Sequence, residues 1–201
     1  MRPIAHSERL IVVVGPSGAG KDSVLAAWRA RLPARTLHFA TRVVTRRAGA
    51  SEAHESVDEA GFDALRAVDA LATWWQANDL HYGVRWRELS PLADGGWVVL
   101  NGSREHLAIL RLQAPRLHVV HITAPEAVLA RRLAERSREA APSIERRLAR
   151  RPGVSAALTL DNSGALASTV DALHRWWCRH AAAGGVASRG DAGRNTPRRS
   201  R

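Results

Sequence analysis

Apolar residues in this chain gather in short unbroken runs, and the stretches between them carry apolar positions at helical spacing. LIVVV (10–14), TLHFA (36–40), WVVLN (97–101), LHVVHI (117–122) and ALTL (157–160) are such runs. Continuous apolarity over about four to eight residues marks a strand covered on both faces, whereas a half-exposed strand alternates. The runs are separated by segments of helical pattern, the first covering about residues 21–32. The sequence therefore predicts an α/β fold with a parallel central sheet and helices on either side.

Two tetrads have the spacing of a helix capping box: Ser56-Val57-Asp58-Glu59, and Thr123-Ala124-Pro125-Glu126 with its proline at an early helical position. They predict helices capped by Ser56 and Thr123. The second helix leads into ARRLAERSREAAPSIERRLARR, with a break expected near Pro142. A last helix is expected over about 165–180. From residue 184 onward Gly, Ser, Pro and Arg predominate, the composition of a disordered tail. The expected organisation is one domain over 1–183, carrying a small insertion, and a basic tail over 184–201.

At 201 residues the chain is long enough for a substantial core without a second independent domain. Cys178 is the single cysteine, so no internal disulfide forms. No secretory h-region and no apolar run of membrane-spanning length is present, and a reducing cytoplasm is the expected home. The formal charge of +11 points first to a polyanion, but its distribution narrows that reading. Residues 131–151 hold eight Arg against three Glu, and residues 184–201 five Arg against one Asp, leaving the remainder close to neutral. A protein that tracks a nucleic-acid backbone shows a basic face interleaved with aromatic or base-reading residues. An excess confined to one internal segment and one tail suits a local phosphate clamp instead and argues against nucleic acid as the partner.

Of the thirty basic residues, only Lys21 is a lysine. It stands in GPSGAGKDS, directly after the first apolar run. Gly15, Pro16, Ser17, Gly18, Ala19, Gly20 and Lys21 fill the phosphate-binding pattern G-x-x-x-x-G-K in the strand–loop–helix context that pattern requires. Backbone N–H groups of such a loop curl around phosphate oxygens, and the helix N-terminus adds its positive dipole end. A slim ammonium reaches the β- and γ-phosphates as a point charge, where a planar guanidinium fork does not fit. These features predict a nucleoside triphosphate site. The next position carries Asp22 where a hydroxyl is expected, followed by Ser23. Asp22 reads in two ways: with Ser23 as an oxygen ligand to Mg²⁺, directly or through water, or as an acidic residue that stabilises the helix N-terminus.

FATRVVTRR places Arg42, Arg46 and Arg47 just past the second run. At strand spacing Arg42 and Arg46 project from one side, where two guanidinium forks hold an anionic substrate; a solvated basic loop is the plainer alternative. Among Arg131, Arg132, Arg136, Arg138, Arg146, Arg147 and Arg150, the pair near the Pro142 break, Arg136 and Arg138, are the expected lid cations around a transferring phosphoryl group. Several others, Arg131 and Arg146 included, read as Arg–Glu pairs on a solvated helix. No residue stands out as a general base, since the strand end that often carries an Asp in this kind of fold reads Asn101-Gly102-Ser103-Arg104. A phosphate acceptor, with a second pKa of about 6, needs no base, so the expected reaction phosphorylates a phosphate. Trp74, Trp75, Trp176 and Trp177 are expected in the core, with Trp75 at the acceptor site if its loop lines it. His81 and Tyr82 are candidates for substrate contact, His118 and His121 read as satisfied sheet residues, and Cys178 as inert.

GPSGAGKDS, TRVVTRR, WQANDLHYGV, VLNGSR, LARRLAERSRE and IERRLAR, in that order over about residues 8–175, together resemble the ribose 1,5-bisphosphate phosphokinases of bacterial phosphonate breakdown, relatives of guanylate kinase. In that family an Asp after the loop lysine belongs to the pattern. The resemblance implies a three-layer P-loop kinase fold with an acceptor-binding insertion over about 42–95 and an arginine-rich lid over about 131–151. It implies transfer of the γ-phosphoryl group of ATP, with Mg²⁺, onto a phosphate of α-D-ribose 1,5-bisphosphate, giving 5-phospho-α-D-ribose 1-diphosphate. By similarity residues 15–23 hold ATP, Arg42 and Arg46 hold the acceptor together with Tyr82, Ser103 and Arg104, and Arg136 and Arg138 belong to the lid. Asp161-Asn162 falls on the adenine side. Guanylate kinase reads D-Y-x-F and Y-G-T in its acceptor region. Here EAHESVD lacks the tyrosine, and HYGV puts Val84 where a hydroxyl meets guanine. A pocket without those groups rejects guanine. The competing readings are a nucleoside monophosphate kinase acting on GMP and, from another class, an arginine-rich nucleic-acid module on a kinase fold without turnover.

Overall fold

The computed structural model describes residues 2–34, 36–46, 54–77, 79–136 and 153–187. Leu10–Val14 forms β1, and all five of its side chains are buried, as a run without alternation requires. On either side of it lie β7 (Val98–Asn101) and β8 (His118–Thr123), with β2 (His38–Phe39) outside β7 and β9 (Leu158–Asp161) outside β8. Every pairing in this five-stranded sheet is parallel. The helices are α1 (Lys21–Arg31), α2 (Glu59–Ala67), α3 (Leu107–Gln113), α4 (Glu126–Arg136) and α5 (Leu166–Ala187). Trp28 of α1 and Leu173, Trp176 and Trp177 of α5 pack on one face of the sheet, against Ile11, Val13 and Val120. Leu107 and Leu110 of α3 cover the other face, against Leu10, Val12 and Leu100.

The expected insertion is a second, mixed sheet in the order β4 (His54–Ser56), β3 (Arg42–Val44), β6 (Leu80–Arg85) and β5 (Leu71–Ala77). β3 runs parallel to β4 and antiparallel to β6, which is antiparallel to β5. Phe62 of α2 fills a small separate core with Val43 and Leu71. Glu55 of β4 forms an ion pair with Arg85 of β6 across β3, and the Arg85 guanidinium holds the Glu55 carboxyl below its ordinary pKa.

Both expected caps are displaced. Asp58, not Ser56, is the N-cap of α2, its carboxylate accepting from Gly61 N at 2.7 Å. Ser56 closes β4 instead, paired with Val44. Thr123 likewise ends β8 opposite Asp161, and α4 starts at Glu126, after Pro125. Ser56 and Thr123 are each held in a strand pairing that ends before the helix begins, and at α2 the next competent side chain, Asp58, takes the cap. The last helix continues past 180, and past the expected domain boundary at 183, to Ala187. AlaAlaAla at 181–183 favours that continuation. The residues around Pro142, and 188–201, lie outside the described residues. Trp75, Trp176 and Trp177 are core residues as expected, whereas Trp74 is 41% exposed. Its neighbour Trp75 takes the inward side of β5, so alternation turns Trp74 outward, where the Arg66 guanidinium lies 4.1 Å from its ring centre.

Candidate active site

The chain leaves β1 at Val14 and passes through residues 15–20 before α1 begins. Gly15 lies hard against β8: a Cβ there would sit 2.0 Å from the Ile122 carbonyl oxygen. Gly20, the N-cap of α1, has a φ of 81°, in the left-handed region that glycine alone adopts without cost. Lys21 Nζ donates to the carbonyl oxygens of Gly15 at 2.9 Å and Pro16 at 3.2 Å, which anchors the ammonium at the mouth of the loop.

The loop is braced by Asn162 and Arg132, neither of which the sequence marked as a brace. Asn162, just past β9, is 4% exposed; its Nδ2 donates to Ala19 O at 2.9 Å and its Oδ1 accepts from Thr169 Oγ1 at 3.0 Å. Arg132 of α4 donates to Asn162 O at 2.8 Å and to Gly18 O at 3.5 Å. Asp161-Asn162, expected on the adenine side, thus stands directly against the phosphate loop. The Asn162 amide is committed to the loop, and the Asp161 carboxylate accepts from Ser163 N within its own turn. Arg131 pairs with Glu135 at 3.8 Å on an exposed helix face, as the plainer reading expects.

The carboxyl end of β7 lies beside that of β1, the edge of an open parallel sheet where ligands bind. There Asn101 Nδ2 donates to Asp22 Oδ1 at 2.6 Å, and the same oxygen accepts from Arg42 Nη2 at 3.4 Å. Asn101 is 8% exposed, and its Oδ1 is buried with no hydrogen-bond partner among the described residues. Arg42 opens β3, so this contact joins the mixed sheet to the phosphate loop. Its guanidinium lies 5.7 Å from the centre of the Tyr82 ring. Tyr82 stacks on Trp75 at 5.5 Å, and Trp75 on His106 at 5.3 Å. Trp75 therefore supports the site from within the core.

The remaining expected residues are distributed as follows. Strand alternation does not reach Arg46: β3 ends at Val44, and Arg46 is exposed beyond it, its carbonyl accepting from His54 Nε2. Ser103 Oγ accepts from Glu105 N at 3.3 Å in the turn into α3. Arg104 is partly buried, which lowers its pKa, while Glu105 acts in the opposite direction. Val84 is fully buried, so the missing hydroxyl is a change in the core, not on a substrate-facing surface. His81 stacks on Phe62 and bonds Glu59 through Nδ1 at 2.7 Å. Arg136 ends α4; Arg47 and Arg138 lie outside the described residues.

His118 is satisfied by Glu8 O at 2.9 Å, as expected of a sheet histidine, but His121 is not. It pairs in register with Val14, the residue before the loop, and its Nε2 is buried without a hydrogen-bond partner among the described residues. Burial, then the charges of Arg104 and Lys21, lower its pKa and keep the ring neutral. A hollow of about 470 Å³ between β5 and α3, lined by Trp74, Trp75, Trp86, His106 and Ile109 among others, includes none of Lys21, Asp22, Arg42 or Arg104. Convergent polar groups, not volume, locate the site.

His106 supports a test of this packing. Its Nε2 is 2.6 Å from Thr73 Oγ1, and burial lowers its pKa from 6.5 to about 4. Between those values the unfolded chain binds a proton that the folded chain does not. The stabilisation is complete above about pH 6.5 and is lost as pH falls toward 4, by up to about 3 kcal/mol. The drop in Tm between pH 7.5 and 4.5 is expected to be smaller in His106→Gln than in wild type by about 6–10 °C. Equal drops would mean that His106 ionises freely in the fold.

No family model matches the sequence. The chain is 47% identical over 176 residues to the protein named "Ribose 1,5-bisphosphate phosphokinase PhnN" of Pseudomonas fluorescens (strain SBW25), with 82% of this chain and 92% of that relative covered. It is 44% identical over 174 residues to the protein of the same name of Pseudomonas paraeruginosa (strain DSM 24068 / PA7), with 84% and 94% covered. Among solved structures it is similar to guanylate kinase from Anaplasma phagocytophilum, with a TM-score of 0.61 over 85% of each chain at 16% identity. That likeness establishes the fold, an α/β P-loop kinase architecture with a parallel central sheet.

Proposed function

The chain belongs to the ribose 1,5-bisphosphate phosphokinase family, and from that premise we propose that it transfers the γ-phosphoryl group of ATP to α-D-ribose 1,5-bisphosphate, giving 5-phospho-α-D-ribose 1-diphosphate and ADP. The observation that carries the reading is the meeting at Asp22. A loop shaped for a triphosphate and the arginine-bearing strand of the mixed sheet touch there through one carboxylate oxygen, so two anionic substrates bound to them lie side by side.

In this mechanism the cradle of residues 15–20 and the N-terminus of α1 bind the phosphates of ATP, and Lys21 neutralises charge at the β- and γ-oxygens. Arg42 and Arg46, with Tyr82, Ser103 and Arg104, hold the sugar bisphosphate; Arg136 and Arg138 add cations around the transferring group. An oxygen of the 1-phosphate attacks the γ-phosphorus. The bond from that phosphorus to the β–γ bridging oxygen breaks, ADP leaves with the bonding electrons, and a new phosphoanhydride forms. The attacking oxygen is already ionised, so no proton has to be removed. That fits an Asp22 carboxylate already engaged by Asn101 and Arg42.

Mg²⁺ fits these residues as an ion that arrives with the nucleotide. Among the described residues no three His, Cys, Asp or Glu side chains gather into a metal cage. Asp22 and Ser23 offer a carboxylate and a hydroxyl, and Mg²⁺ typically takes one or two protein oxygens plus phosphates and waters. Bound there, it supplies positive charge to the β- and γ-phosphate oxygens. No helix among the described residues is long and apolar enough to cross a membrane; the reading places the enzyme in the cytoplasm with a small-molecule partner.

ADP release by the purified protein, with ATP and Mg²⁺, tests the assignment against ribose 1,5-bisphosphate, GMP, AMP and buffer. Turnover is expected with the sugar bisphosphate, with kcat/KM for GMP at least about 100-fold lower. Turnover of GMP with an inert sugar bisphosphate would overturn the proposal.

A further inference from the structure

In P-loop enzymes that hold Mg²⁺ beside a triphosphate, the usual pair is a hydroxyl after the loop lysine and a carboxylate at the end of a neighbouring strand. Here the two chemistries stand in exchanged positions. The loop carries the carboxylate, Asp22, and the strand end carries the neutral group, Asn101. We infer that Asp22 and Asn101 are one functional unit: Asn101 is the positioning residue that fixes the loop carboxylate, and its own carbonyl oxygen, closed to solvent in the unliganded fold, is the unused acceptor that binding of the metal–nucleotide complex would engage. This rests on the Mg²⁺–ATP reading above and goes beyond it by giving Asn101 a role.

The two residues are 79 apart in sequence, yet the Asn101 amide meets Asp22 Oδ1 at 2.6 Å, at the short limit for a bond to a charged acceptor. A donor such as an amide suits that contact, whereas a carboxylate at 101 would put like charges at the same distance. Asn101 cannot shift easily, since it sits in β7 in register with Val13 and is almost fully buried. Its Nδ2 is satisfied by Asp22 while its Oδ1 is buried without a hydrogen-bond partner among the described residues. Buried orphan acceptors are costly and rare, and a residue needed only to tether Asp22 has no use for one. An oxygen acceptor beside a carboxylate and next to the phosphate loop is the chemistry that a hydrated, hard divalent ion takes. Arg42 on the same Asp22 oxygen limits the carboxylate from the other side.

Equilibrium ATP binding, titrated once with excess Mg²⁺ and once with EDTA, tests the unit without using catalysis; the readout is the ratio of the two affinities. Wild type is expected to show a clear preference for the metal complex. Asp22→Ser and Asn101→Leu should each lower the ratio about tenfold. The double variant Asp22→Ser, Asn101→Asp, which restores the usual order of hydroxyl and carboxylate at unchanged net charge, should return the ratio to within about threefold of wild type. A double variant no better than Asp22→Ser overturns the inference, as does an Asn101→Leu protein with an unaltered ratio. If Asn101→Leu fails to fold, the comparison of the double variant with Asp22→Ser decides alone. If wild type binds ATP equally well with Mg²⁺ and EDTA, the Mg²⁺ reading fails and this inference with it. Wild-type metal preference without rescue sinks only the inference.

Discussion

Lys21→Ala is expected to lower kcat for phosphoryl transfer by about 1000-fold or more and to leave Tm within about 2 °C of wild type. In the folded protein the ammonium donates to the loop carbonyls of Gly15 and Pro16, and it is half-buried rather than enclosed in the core. Both carbonyls belong to the loop itself, whereas the proposed phosphoryl site loses a fixed positive charge. The companion substitution is more informative still. Wherever else this chain uses a long cation it uses arginine, so if charge alone were needed Lys21→Arg would be harmless. A planar fork needs more width than the ammonium that fits against these two carbonyls, and Lys21→Arg is expected to keep less than about a tenth of wild-type kcat. Initial-rate kinetics with thermal melts on both variants provide the check. An active Lys21→Arg would show that the lone lysine carries no steric meaning.

What could be read from the chain follows the distance over which each feature is decided. LIVVV is a buried strand because its own five residues say so, and the adjoining loop and the helix that starts at Lys21 are equally local. The strands β7, β8 and β9 fall within a residue or two of their apolar runs for the same reason. The mixed sheet left a weaker trace, because strands such as β6 are only half covered and carry His, Tyr and Arg among their apolar residues. The braces of the site left almost none. Asn162 reaches Ala19 across 143 residues, and nothing in LTLDN separates a buried amide that supports the phosphate loop from an ordinary turn residue. Asn101 was visible only as the absence of an acid; the structure turns that absence into the partner of Asp22. Even a local motif can yield to a distant contact. Ser56 has the spacing of a cap, but its pairing with Val44 holds it in a strand and leaves Asp58 to cap the helix.

Gly15→Ala is expected to damage fold and activity together, in contrast to Lys21→Ala. Its added Cβ would lie 2.0 Å from the Ile122 carbonyl oxygen and 3.1 Å from the carbonyl carbon, both backbone atoms of the central sheet. A side chain can swing away from such an intrusion, but β8 cannot retreat without loosening its pairing to β1 at Val13 and Val14. The expected destabilisation is about 3 kcal/mol or more, a fall in Tm of about 6–12 °C. The loop would be pushed away from β8, moving the Gly15 carbonyl that anchors Lys21, so transfer should be lost even at temperatures where the variant remains folded. Gly153→Ala serves as the control, because a Cβ there meets nothing within 4 Å and neither property should change. Thermal melts and initial rates on the two variants separate the outcomes. A Gly15→Ala protein that melts with wild type would mean that the loop does not pass as close to β8 as it does here, and the anchoring of the ammonium would need another origin.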